Sequence, residues 1–148
     1  MLKYLIYFLI ILLFSCRGEE TTTSKLIIIN HSGVNIKIAP SLTLPDTLTL
    51  ANNQIYEYNH GLERGITPGI ELAYFADGNP VLVRFNNEFS VTHYRDTFTH
   101  QDKSYNITSS RCFYNPLSYS KEIKDNNKYS RFVTLTYTFT QEDYLFAK

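Results

Sequence analysis

The chain has 148 residues and a formal net charge of zero, and it is 43% hydrophobic but only 19% charged. This length allows one compact domain. The balanced charge excludes the basic excess of nucleic-acid binders, and the hydrophobic content excludes a disordered chain. Twelve tyrosines and ten phenylalanines, with no tryptophan, favour β-strands.

The N-terminal segment has the features of a secretory signal peptide. Lys3 supplies a positive charge, and the run from Tyr4 to Phe14 is apolar without a break. A membrane-spanning helix needs about 20 apolar residues, so this run is too short to span a bilayer. The pattern therefore predicts a signal peptide over residues 1–15 that the mature protein lacks.

The residues at the end of this segment are Leu13-Phe14-Ser15-Cys16. They resemble the lipobox of bacterial lipoproteins, although Phe14 is bulkier than the residue usual at that position. The resemblance implies a diacylglyceryl group on the Cys16 thiol, cleavage before Cys16 and acylation of the new amine. The implied partner is therefore a membrane, bound through the lipid on Cys16. Anchoring would be firm, because several acyl chains hold a protein at a bilayer where one chain does not. The alternative is an ordinary N-terminal anchor with an incidental cysteine.

Residues 16–24 are predicted to form the lipidated cysteine and a polar tether, because Arg17 to Ser24 include no large apolar side chain. The pair Glu19-Glu20 resembles an acidic tag that directs some Gram-negative lipoproteins to the cell surface; the plainer interpretation is a solvated linker. The resemblance places the protein in the cell envelope, as an outer-membrane lipoprotein. It leaves open whether the protein is exposed at the cell surface or stays on the periplasmic leaflet.

Residues 25–148 are predicted to form an all-β domain, because apolar and polar residues alternate with a period of two. Turn residues separate about eight short strands, which indicates an antiparallel β-sandwich, immunoglobulin-like or similar; a barrel is the alternative. The predicted strands are 25–29 (a run buried on both faces), 34–38, 47–50, 55–58, 70–75, 81–85, 89–94 and a final strand through 133–139.

The final strand has the clearest pattern, with Val133, Leu135, Tyr137 and Phe139 on its buried face. A short C-terminal helix should follow Thr140 as N-cap. Residues 59–69 are predicted to form a loop. Residues 95–128 are predicted to form a long irregular segment with one or two short strands.

Cys112 is the cysteine that remains once Cys16 carries lipid. It has no partner for an intramolecular disulfide. A nucleophilic role would need a nearby base and a depressed pKa, so a small buried hydrophobic residue is the favoured interpretation.

Motifs of known enzyme classes are absent from the sequence, and we expect no enzymatic activity, cofactor or metal. The cluster of His93, Asp96, His100 and Asp102 is the best candidate for a metal or catalytic site. The plainer interpretation is that these histidines lie at the surface or form hydrogen bonds.

A glycan-binding role is the alternative to a purely structural one. Tyrosines stack on sugar rings and offer a hydroxyl, and Tyr105, Tyr114, Tyr119 and Tyr129 fall in or beside the irregular segment. The competing interpretation is that they cover one end of the core. Separately, Asp46-Thr47-Leu48 resembles a short O-glycosylation motif of bacteria with the same surface tag, which makes Thr47 a candidate modification site.

Beyond the lipobox, segments 26–33, 83–87 and 137–144 are similar to small uncharacterised lipoproteins of that bacterial group. This resemblance brings no activity with it, so Cys16 alone receives a role from it. We therefore expect a lipid-anchored envelope protein that acts by binding or as a structural module. Its partner would be another envelope protein or a glycan.

Overall fold

The computed structural model describes residues 21–39, 47–64, 80–127 and 130–148. The strands are β1 (Thr21–His31), β2 (Ile36–Ala39), β3 (Leu48–Leu50), β4 (Ile55–Arg64), β5 (Val81–Phe85), β6 (Phe89–His93), β7 (Ser104–Tyr105), β8 (Ser120–Asn127) and β9 (Ser130–Thr140). Within these ranges, a 3₁₀ turn covers Pro116–Ser118, and helix α1 covers Gln141–Ala147. The predicted signal peptide, Cys16, the predicted strand 70–75 and Tyr129 lie outside the described residues.

The strands form two sheets, one in the order β4-β1-β9-β8 and the other in the order β3-β2-β5-β6-β7. This architecture confirms the predicted all-β sandwich. The sheets are mixed, however, because β1 pairs with β9 and β6 pairs with β7 in parallel. The prediction of a purely antiparallel sandwich was therefore wrong at these two pairs. Alternation along a strand reports its buried face but not the direction of its neighbour.

The core lies between the two sheets and is built by alternate residues of each strand. On β9, the predicted inward residues Val133, Leu135, Tyr137 and Phe139 are all buried, which confirms the predicted face. The facing sheet and β1 contribute further apolar side chains of the same kind: Leu26, Ile28, Ile36, Ile38, Leu50, Val81, Val83, Phe85 and Val91.

The predicted tether is too long, because β1 already begins at Thr21. Thr22 and Ser24 are only 1% and 2% exposed, and β1 is paired from Thr21 onward with both β4 and β9. Small hydroxyl side chains can occupy a strand without giving an apolar signal. The segment between Cys16 and the fold is thus residues 17–20.

Two other sequence interpretations need correction. Ile27 and Ile29 are half-buried on the outer face, so β1 is not buried on both faces. The loop predicted from residue 59 is strand as far as Arg64, and Gly61 lies where the β1–β4 register shifts, which is typical of a bulge. Residues 95–128 contain two strands, β7 and β8, as predicted, but β8 is longer than expected, an edge strand of eight residues. Its many charged residues suit an edge but hide the period-two pattern.

The burial of Thr22 gives a direct test of where the fold begins. We expect Thr22→Asp to lower the free energy of unfolding by about 2 kcal/mol or more, because it places a carboxylate in the interior. Urea unfolding followed by circular dichroism would measure this. The matched control is Thr23→Asp, on the opposite face of the same strand, which should cost much less. Equal, small effects of both variants would show that this segment is a solvated tether after all.

Candidate functional site

A groove of about 490 Å³ opens beside β7, between the loop that precedes this strand and the end of α1. Its lining includes Phe98, His100, Asp102, Lys103, Tyr105 and Phe146. The groove therefore combines aromatic rings with charged and hydrogen-bonding side chains, which is the usual composition of a ligand site.

The loop that forms one wall is tied together by its own hydrogen bonds. The Asp96 carboxylate accepts from the Phe98 backbone N–H at 3.0 Å and pairs with His100 Nε2 at 2.8 Å. The hydrogen bond from His100 lowers the pKa of Asp96. At the carbonyl side of the same residue, the Asn106 side-chain amide donates to the Phe98 carbonyl oxygen at 3.2 Å. The backbone is thus fixed on both sides of Phe98, whose side chain is 70% exposed.

A stacked pair connects this loop to the sheet. The rings of Tyr94 and His100 lie parallel, with centroids 3.5 Å apart and an interplanar angle of 9°. The Tyr94 hydroxyl donates to Asp102 Oδ2 at 3.2 Å. The carboxylate of Asp102 is thus oriented by a residue directly following β6.

The opposite wall comes from β7 and α1. The Tyr105 ring stacks on Phe146 with centroids 4.7 Å apart, and its hydroxyl donates to Asp143 Oδ1 at 3.3 Å. Lys103 Nζ donates to the Phe146 carbonyl at 3.1 Å and lies 5.9 Å from the centre of the Phe146 ring. The Phe146 side chain remains 40% exposed.

Beneath this wall, an ion pair holds α1 in place. Arg111 donates through Nε to Asp143 Oδ1 at 2.9 Å, and its Nη2 donates both to Asp143 Oδ2 and, at 2.8 Å, to the Thr138 carbonyl. Asp143 is 2% exposed and also accepts from the backbone N–H of Thr140, at 2.8 Å. This contact confirms Thr140 as the predicted N-cap, with Asp143 at position N3. The position of α1, and hence of Phe146, depends on it.

The two histidines of the candidate metal or catalytic cluster are separated. His93 is 1% exposed, stacks on Phe113 at 4.4 Å and accepts the Phe113 backbone N–H at Nδ1, at 3.1 Å. Burial lowers its pKa to about 3. His100 instead pairs with Asp96 in the groove loop. Across the described ranges no group of three metal-ligating side chains forms, so the hypothesis of a site built on this pair is wrong.

Cys112 is fully buried. Its thiol donates to the Tyr94 carbonyl at 3.4 Å, and burial raises its pKa to about 11. These contacts support the packing interpretation rather than a nucleophilic one.

The candidate glycan-binding tyrosines have different environments. Tyr119 is 8% exposed and donates to the Phe113 carbonyl at 2.8 Å, so its prediction as a ligand residue was wrong. Tyr114 is half-buried against the core. Tyr105 does line the groove. The aromatic residues that the prediction missed there are Phe98 and Phe146. The only signal for Phe98 is that it is an apolar residue within a polar stretch, and Phe146, between Leu145 and Ala147, carries no such signal.

Comparison with protein-family models, with curated proteins and with solved structures finds no match for this chain. The helices among the described residues are all too short or too polar to cross a bilayer.

The burial of His93 predicts a specific pH dependence of stability. The pKa is about 3 in the folded chain against the ordinary 6.5, so the unfolded chain binds the additional proton below pH 6.5. Stability is therefore complete above pH 6.5 and is lost as the pH falls toward 3, by at most about 1.4 kcal/mol per pH unit from this group.

Urea unfolding between pH 7 and pH 5 would measure this slope. The control is His93→Gln, whose side-chain oxygen can still accept the Phe113 N–H. We expect a shallower slope for the variant than for the natural chain. Identical slopes would show that folding does not lower the pKa of His93.

Proposed function

We propose that this chain is a lipid-anchored module of the bacterial cell envelope that acts by binding. The observation that carries the proposal is the short distance along the sequence between the lipobox cysteine and the fold. Cys16 precedes the first residue of β1, Thr21, by five positions. At about 3.3 Å per residue, the tether would keep the sandwich within roughly 17 Å of a lipid attached to Cys16.

The strand pairing indicates which end of the sandwich would face the bilayer. Thr21 pairs with Arg64 of β4 and with Ser130 of β9, so this end of the first sheet would lie toward the membrane. His31 and Thr140 pair at the other end. Because α1 starts directly after Thr140, the helix that carries the groove wall begins at the end directed away from the membrane.

The contrast between buried and exposed polar groups supports binding over catalysis. The buried ionisable side chains His93, Cys112 and Asp143 are each held by contacts that stabilise the fold. The two exposed phenylalanine rings of the described residues, Phe98 and Phe146, both line the groove instead. Glycan binding is the second candidate function, and the observation that favours it is the exposed ring of Phe98 beside Asp102.

Metabolic labelling of cells with palmitate tests the anchor. We expect the natural chain to incorporate the label and to fractionate with the outer membrane, and Cys16→Ser to do neither, because a serine hydroxyl cannot take the thioether. Cys112→Ser is the matched control and should still be labelled. An unlabelled, freely soluble natural chain would rule out the proposal. Protease treatment of intact cells then distinguishes surface exposure, for which Glu19-Glu20 argues, from the periplasmic leaflet.

Thr47 fits the proposed O-glycosylation by its position. Its side chain is exposed, and it directly precedes β3, the edge strand of the second sheet. An edge position leaves the residue open to a modifying enzyme without disturbing the core.

Mass spectrometry of the protein purified from its envelope checks this modification. We expect a mass above that of the lipidated chain, and we expect Thr47→Ala to lose the excess. Thr49→Ala, an exposed threonine two residues further along β3, is the control and should retain it. An unmodified mass in the natural chain would exclude O-glycosylation at Thr47.

A further inference from the structure

We propose that the groove binds a neutral saccharide, with the Phe98 ring as the surface on which a pyranose stacks. This inference rests on the binding function proposed above and names its ligand class. The residues that carry it are Phe98, Gln101 and Asp102 on the loop wall, and Phe146 on the wall formed by α1.

The first argument is the exposure of Phe98 on an ordered loop. A ring that is 70% exposed leaves most of its apolar surface in water, although burial of such a side chain stabilises a protein. The hydrogen bonds to Asp96 and Asn106 hold the backbone so that the ring is presented before any ligand arrives. Preorganisation of this kind reduces the entropy lost on binding.

The second argument is the mixture of groups beside that ring. The C–H face of a pyranose is apolar and packs on an aromatic ring, while its hydroxyls need donors and acceptors in the same plane. The exposed amide of Gln101 offers both. The Asp102 carboxylate uses one oxygen for the Tyr94 hydroxyl and has further capacity to accept.

The third argument is charge, which selects a neutral ligand over an anionic one. Asp102 and Lys103 carry opposite charges at adjacent positions of the lining. The Lys103 ammonium already donates to the Phe146 carbonyl, and His100 is paired with Asp96. The lining holds one carboxylate and one ammonium, so the groove offers no net positive charge to an acidic polysaccharide or a phosphate. The volume of about 490 Å³ falls within the roughly 300–1,000 Å³ of ligand sites.

Isothermal titration calorimetry on the full lipidated protein tests the proposal. The detergent must have a headgroup without sugar, because a glycoside could occupy the groove itself. The probes are linear hexasaccharides of glucose, mannose and xylose. We expect at least one of them to bind with a Kd of about 1 mM or tighter.

Variants then locate the sugar. Phe98→Ala should weaken binding at least tenfold, and Gln101→Ala should weaken it severalfold. Leu117→Ala is the matched control: it removes an apolar side chain that is 84% exposed and does not line the groove, and it should leave the affinity unchanged. Circular dichroism would verify that each variant is folded, which the exposure of these residues leads us to expect.

Two results overturn the inference. One is the absence of binding for all three hexasaccharides at about 10 mM, a concentration that would reveal even a site with millimolar affinity. The other is binding that Phe98→Ala and Leu117→Ala change equally, since the sugar would then lie elsewhere. Neither result affects the palmitate labelling on which the envelope anchor depends, so the two proposals fail separately.

Discussion

The first strand lies between β4 and β9, and the rest of the sandwich depends on that placement. β1 pairs with β9 in parallel from Thr21 to His31, and with β4 along most of the same length. A slip of one residue in either ladder would move Leu26 and Ile28 from the core to the outer face.

The alternation of apolar and polar residues correctly predicted the strands whose buried face is apolar. It identified the inward face of β9 and the buried positions Ile36 and Ile38 because their side chains differ sharply from those of their neighbours. It failed where burial or pairing involves other residue types. Thr22 and Ser24 are buried hydroxyl residues, and β8 is an edge strand rich in charge. These segments form strands because they pair with neighbouring strands. Those neighbours are distant along the chain, so a local sequence pattern does not indicate them.

The candidate site was harder to predict because it depends on which side of the chain each polar or aromatic residue faces. His93 follows Val91 with the spacing of one strand face, so the alternation of β6 already contained the signal that His93 is buried. Tyr94, the next residue, faces outward and stacks on His100. No local pattern could place Phe146 against Tyr105, since that contact joins two distant segments through the position of α1.

Helix α1 belongs both to the core and to the groove. Tyr144 packs its ring against Phe85 and Phe89 of the second sheet, while Phe146, two residues later, forms the outer wall. Asp143, beside them, is buried and pairs with the half-buried Arg111. A buried ion pair adds little net stability, because the loss of hydration offsets the attraction. However, Asp143 accepts hydrogen bonds from Thr140, Tyr105 and Arg111, and together these fix the helix at one position and one rotation. The pair is therefore better understood as a positioning device for the groove wall than as a source of stability.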